Sequence, residues 1–120
     1  MNKEDTFENL EVWQDAVELA ARVYELFRDC SDWGFRGQIQ NASVSVSSNI
    51  AEGYERSSNA EFIRFLDIAR GSCGEVRSQS YVAVRVKLIT AEAAAALIRD
   101  AKRLSRRIAR LMEVRRKDFR

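Results

Sequence analysis

The sequence predicts an all-α protein: an antiparallel up-down-up-down four-helix bundle, one domain over residues 1–120, assembling with copies of itself. Three observations predict it. Proline is absent and only five glycines occur in 120 residues, so little in the chain interrupts or ends regular structure. Apolar residues recur at alternating spacings of four and three in each of four long segments. The one stretch that alternates like a strand, Ser43 to Ser48, has no turn signals at its ends and no second strand to pair with.

The first helix is expected over about residues 10–29. Val12, Ala16, Leu19, Val23 and Leu26 form one apolar stripe, and Trp13, Val17, Ala20, Tyr24 and Phe27 form a second beside it. Two adjacent stripes make a face wider than one packing neighbour needs. Trp13, Tyr24 and Phe27 are therefore the candidates for burial against another subunit. The segment Cys30 to Gly37 mixes turn formers with Trp33 and Phe35, and is read as a loop folding back on the bundle end. A second helix over about residues 36–54 buries Ile39, Ala42, Val46 and Ile50, and Gly53 at its end suits a left-handed cap.

The third helix is expected over about residues 59–88, opened by a capping box in which Ser58 is the N-cap and Glu61 lies three residues on. Its stripe is Phe62, Leu66, Ala69, Cys73, Val76, Ser80 and Ala83. Gly71 and Gly74 lie inside it, each costing about 1 kcal/mol of helix propensity relative to alanine, so a close helix contact is expected at both. Thr90 caps a fourth helix over about residues 91–115, with Leu97, Ala101, Leu104, Ile108 and Leu111 buried. Residues Lys117 to Arg120 are expected to fray.

Composition excludes much chemistry. There is no histidine, which removes Ser-His-Asp and Cys-His nucleophile systems, the common zinc sites and the Glu-x-x-His ligand pairs of di-iron bundles. Cys30 and Cys73 have no metal-like spacing and are read as reduced thiols. With a polar, acidic start and no apolar run of membrane-spanning length, the expectation is a cytoplasmic protein without membrane contact. No cofactor, metal or catalytic residue is expected, and the protein is read as no enzyme.

The formal net charge of +2 hides a strong asymmetry. Residues 1–32 hold three Lys/Arg against nine Asp/Glu, whereas residues 99–120 hold ten against three. On the fourth helix Arg99, Arg103, Arg106 and Arg110 fall on one stripe, flanked by Lys102 and Arg107, with Arg115, Arg116 and Lys117 beyond. Guanidinium groups in a row suit phosphate contact, so these nine residues are the candidate nucleic-acid-binding set. Glu11, Asp15, Glu18 and Glu25 make an acidic ridge of matching period on the first helix. The two ridges can equally pair with one another, within a subunit or between subunits.

Two blocks of residues resemble the signatures of the 23S rRNA-intervening-sequence protein family. Gln38, Ile39, Ala42, Ser45, Asn49, Ile50, Ala51, Glu52 and Gly53 match the first; Glu61, Phe62, Phe65, Leu66, Ile68, Ala69, Gly71, Ser72 and Glu75 match the second. Phe7, Leu10, Trp13 and Ala16, and then Arg56 and Ser58, extend the match over nearly the whole chain. The resemblance implies a four-helix subunit assembling as a homopentamer, some members being encoded within insertions in large ribosomal RNA genes. The family is also similar in fold to the accessory variability protein of diversity-generating retroelements, which implies RNA or DNA as a partner. The chain departs from the pattern in having no proline near position 47, Asn41 where a basic residue is frequent, and Val76 where leucine is usual; Asn41 weakens any basic contact on the second helix.

Gln38, Ser45, Asn49, Glu52, Gly53, Gly71, Ser72 and Glu75 are the structural signature set. Asn49 and Glu52 are expected to hydrogen-bond to neighbouring helix ends or to Ser72. A polar catalytic site built from Ser45, Asn49, Glu52, Ser72 and Glu75 is the less favoured reading, since nothing activates a nucleophile there. Glu52 and Glu75 alone make a weak metal site. Three classes of function stay open: a nucleic-acid-binding assembly, a protein-only scaffold whose charged helices pair across subunits, and a carboxylate- or serine-dependent enzyme.

Overall fold

The computed structural model describes residues 6–118. A short 3-10 turn, Phe7–Asn9, precedes four α-helices: α1 Glu11–Leu26, α2 Trp33–Tyr54, α3 Asn59–Arg85 and α4 Ala91–Asp118. Each helix packs on its neighbours in the chain, and α1 closes the bundle against α4. The result is a rod of 47 × 22 × 19 Å. No strand occurs among the described residues; Ser43 to Ser48 lie inside α2.

In α2, α3 and α4 the core is the one the four-three spacing marks out, except at the end of α4, where Leu111, expected to be buried, is half-buried and Met112 is buried in its place. Ile39, Ala42, Val46 and Ile50 of α2, all seven stripe residues of α3, and Leu97, Ala101, Leu104 and Ile108 of α4 are buried. Burial alternates four-three because 3.6 residues make a turn, so a straight helix shows its neighbours the same face at those intervals. Ser43 and Ser80 are buried without cost, as each hydroxyl donates to a carbonyl of its own helix, to Gln40 at 2.8 Å and to Val76 at 2.7 Å.

Local chemistry sets the ends of the helices. Ser58 Oγ accepts the amide of Glu61 at 3.1 Å, and Thr90 Oγ1 accepts that of Ala93 at 3.1 Å. Asp32 caps α2 in the same way, its carboxylate accepting the amide of Phe35 at 3.1 Å. That cap starts α2 three residues before the expected residue 36, so Gly34 and Gly37 lie within the helix, where the loop reading had placed turn formers. Phe35 packs its ring 5.9 Å from Phe27, whereas Trp33 is exposed.

Helix α1 ends at Leu26, short of the expected residue 29, and Phe27 adopts a non-helical backbone as its C-cap. The buried stripe steps from Val23 to Phe27 rather than to Leu26: the Phe27 amide still donates to Val23 O at 3.1 Å, its ring is fully buried in the subunit's own core, and Leu26 is exposed, so the structure places Phe27 inside the subunit, contrary to its assignment to the second stripe. Of the other two candidates, Tyr24 is exposed, and Trp13 is half-buried with the Phe7 ring edge-on at 5.2 Å.

Helix α3 stops at Arg85, short of residue 88, in a Schellman closure: Leu88 N–H donates to Ala83 O at 2.8 Å and Lys87 N–H to Val84 O at 3.1 Å. The closure puts Lys87 at φ 67°, a conformation that favours glycine. Lys87→Gly is therefore expected to stabilise the protein by about 0.5–1 kcal/mol, read as a higher urea midpoint with unchanged slope. Helix α4 runs through Lys117 to Asp118, past the expected end at 115; Phe119 and Arg120 lie outside the described residues.

The glycines exchange roles relative to expectation. Gly53 is helical and no glycine has positive φ among the described residues, so it makes no left-handed cap. It is instead the close-contact glycine: an added Cβ would lie 2.5 Å from Phe65 Cβ on α3. Gly71 and Gly74, where close contact was expected, have nothing of the subunit within 4 Å of such a Cβ.

Candidate functional site

Helix α4 carries its charge on the face turned away from the core, because Leu97, Ala101, Leu104 and Ile108 fix which side points inward. Arg103, Arg106 and Arg110 are exposed and make no ion pair among the described residues. Lys102, Arg116 and Lys117 are exposed as well, and Arg99 is exposed with its Nε 3.5 Å from Asp100.

Pairing with α1 does occur, but at the seam between the helices. Arg107 donates to Asp15 and, at 2.5 Å, to Glu11, and Arg22 of α1 donates to Asp100 of α4. These pairs tie α1 to α4 within one subunit, but through few members of the two ridges: Glu11 and Asp15 of the acidic one meet the flanking Arg107, Arg22 and Asp100 belong to neither, and Arg103, Arg106 and Arg110 of the outer row make no pair among the described residues. Arg115 is also occupied: its Nε donates to Asn59 Oδ1 at 2.8 Å, Asn59 Nδ2 donates to Arg115 O at 3.0 Å, and its guanidinium lies 5.0 Å from the Phe62 ring centre. It fastens the end of α4 to the start of α3.

Beside the outer row lies a groove of about 570 Å³ between the start of α1 and the last turns of α4. Its apolar floor is Leu10, Val12, Leu111 and Val114, and its rim is Arg103, Arg106, Arg107 and Arg110 together with Glu11, whose carboxylate is paired with Arg107. Sequence reasoning missed the floor. The available signal was Val114, an apolar residue standing in the stripe of Arg103, Arg106, Arg110 and Lys117.

The signature set divides. Gln38, Ser45 and Glu75 line a shallow groove of about 280 Å³ between α2 and α3, together with Asn41, Ala42 and Gln79. Ser45 and Ser72 hydroxyls meet at 2.9 Å, and Asn49 Nδ2 donates to Ser45 O at 2.8 Å and Oγ at 2.9 Å, so these three residues stitch α2 to α3. Glu52 takes no part in this: it is exposed and accepts from Arg56 at 2.8 Å. The expectation that Asn49 and Glu52 bond to a helix end or to Ser72 is met by neither: Asn49 bonds to Ser45 within α2, and it is Ser45 that meets Ser72. Of the two carboxylates in the polar set read as a catalytic alternative, Glu75 lines the groove and Glu52 does not.

No group of three or more His, Cys, Asp or Glu that could hold a metal occurs among the described residues. Of the two free thiols, Cys73 is fully buried, and burial pushes it from 9.0 up to about 12, against smaller opposing effects of Arg70 and Arg77. A thiol held protonated is no nucleophile. Because the folded state keeps the proton more tightly than the unfolded chain, this contribution to stability is complete below pH 9 and is lost as pH rises towards 12. Urea unfolding at rising alkaline pH should show an extra loss of at most about 1.4 kcal/mol per pH unit, absent from Cys73→Ala.

Fold and surface together define a small all-α four-helix-bundle protein with a basic last helix. No helix among the described residues is long and apolar enough to cross a membrane. The family model described as 23S rRNA-intervening sequence protein matches residues 8–110, and the chain belongs to that family. Among solved structures it is similar to a protein of unknown function from the S23 ribosomal protein family of Bacteroides thetaiotaomicron, with 23% identity and a TM-score of 0.79 over 84% of this chain and 97% of that one. No curated protein matches the chain.

Proposed function

We propose that the protein is a non-enzymatic, cytoplasmic homo-oligomer that binds ribosomal RNA or another nucleic acid through α4. The observation that carries this reading is the division of the arginines: Arg107 is spent on α1, while Arg103, Arg106 and Arg110 stand exposed in a row without carboxylate partners. Each phosphate they neutralise releases a counterion, which favours binding at low salt. The up-down-up-down course is supported by the pairings, since Asp15 meets Arg107 while Arg22, further along α1, meets Asp100, earlier on α4.

Self-assembly is supported on α2 and α3. Gly71 and Gly74 are exposed in mid-helix with open space before them, Ile68 is exposed one turn before Gly71, Val44 is exposed next to Ser45, whose hydroxyl meets that of Ser72, and Gln79 Oε1 is buried without a hydrogen-bond partner. A second copy covering this face would give the glycines the close contact they lack and remove apolar surface from water. Five copies is the number the family resemblance implies.

Reversing charge at Arg103, Arg106 and Arg110 together is expected to abolish RNA binding while leaving the assembled mass unchanged, as read by polarisation and sedimentation. Wild-type affinity should fall steeply with salt, about three cations' worth of that slope coming from these residues. Loss of assembly in the variant, with no nucleic-acid affinity in the wild type, would instead establish the scaffold reading, in which the arginines meet acids of a neighbour.

A further inference from the structure

The nucleic-acid reading leaves open which form of nucleic acid α4 receives, and the arginine-rimmed groove bears on that choice. We propose that the groove between the start of α1 and the last turns of α4 takes an unpaired base of a single strand, with Arg103, Arg106 and Arg110 on the flanking phosphates. The inference rests on the reading above and deepens it.

Two features of the groove must be satisfied by one ligand. Along α4, Arg103, Arg106 and Arg110 are separated by rises of about 4.5 and 6 Å, and their stripe reaches from Arg99 to Lys117, a length of about 27 Å. A row this long and regular suits a polymer with a charge at every unit. Val114 interrupts the row, 44% exposed, and with Leu10, Val12 and Leu111 makes an apolar floor directly beside the guanidinium groups.

A duplex meets only half of this arrangement. Its phosphates can reach the arginines, but its bases are stacked and paired inside, so the floor would stay wet. A single strand meets both halves: its backbone follows the arginine row while a splayed base covers Val114 and Leu111. The groove, at about 570 Å³, lies within the size range of small-ligand sites. An acidic peptide fits the row less closely, because its charges sit on selected side chains whereas a nucleic-acid strand carries one at every backbone unit.

The test uses the full-length protein and fluorescence polarisation with three labelled probes of about 20 units: an unstructured RNA strand, an RNA duplex and an abasic sugar-phosphate strand. The single strand is expected to bind about tenfold more tightly than either of the others. Val114→Asn, at an exposed position and without change of charge, should lower single-strand affinity about five- to tenfold and leave duplex and abasic affinity unaltered. Equal binding of all three probes, or a single-strand affinity indifferent to Val114→Asn, overturns base insertion while phosphate binding by the arginines stands. Poly-glutamate binding as tightly as the RNA strand overturns it in favour of an acidic peptide. If no nucleic-acid probe binds, the reading of α4 and the inference fall together.

Discussion

Gly53→Ala is expected to destabilise the protein by about 2–3 kcal/mol and to lower its melting midpoint by roughly 10 °C. The new methyl would sit 2.5 Å from Phe65 Cβ, 3.2 Å from Phe62 Cδ1 and 3.3 Å from the Phe62 carbonyl oxygen. A rotamer change cannot relieve this, because a Cβ and a carbonyl move only with the backbone of α3. The helices must separate, and the disturbance passes to what they carry: Arg56 and Arg64 at 4.9 and 4.7 Å from the Phe65 ring centre, and Tyr54 edge-on to Phe62 at 5.5 Å. The figure is net of the roughly 1 kcal/mol that alanine gains over glycine in helix propensity. Gly71→Ala is the control. Nothing of its own subunit opposes a methyl there, so the subunit fold should gain that propensity, while the close contact proposed with a second copy should be lost and assembly weakened; unaltered assembly would refute that contact. A Gly53→Ala protein as stable as the wild type would refute the close approach of α2 to α3.

Phe27→Ala is expected to cost about 3–5 kcal/mol, enough to bring the protein near to unfolding at ordinary temperature. Phe27 is fully buried, follows Val23 into the core where α1 ends, and meets the Phe35 ring from the start of α2. Truncation removes the transfer energy of the ring and leaves a cavity that two helix ends cannot readily close. Urea unfolding of the variant should show this loss while its assembled mass below the transition is unchanged. Unaltered stability with broken assembly would return Phe27 to the interface.

Both predictions concern positions where the sequence pointed elsewhere, and the reason is the same in each. Phe27 lies four residues after Val23 and Leu26 lies three after it, so spacing alone allows either to continue the buried stripe; packing against Phe35 at the end of α1 goes with Phe27. Asp32 was passed over as a cap because Gly34 and Gly37 look like turn formers when read without their hydrogen bonds. Lys87 occupies a position chemistry would assign to glycine, so nothing in its identity announced the end of α3. By contrast the caps at Ser58 and Thr90 were legible, because donor and acceptor are three residues apart.

The site divides along similar lines. The row of arginines was legible as a row, since spacing alone places side chains on a common helix face. Which of them were spent was not: Arg107 and Asp15 are 92 residues apart, and Arg115 and Asn59 are 56 apart. The Leu10 and Val12 side of the groove likewise comes from the far end of the chain.

By itself, then, the sequence determined the helices, the faces they bury and the family, because periodicity and short-range capping act over one or two turns and need no knowledge of what lies opposite. Only the tertiary structure decided which arginines remain exposed, which glycine is pressed by a neighbour and where an apolar floor meets the basic row. Those outcomes depend on distances between segments remote in the chain, which packing fixes and local spacing does not contain.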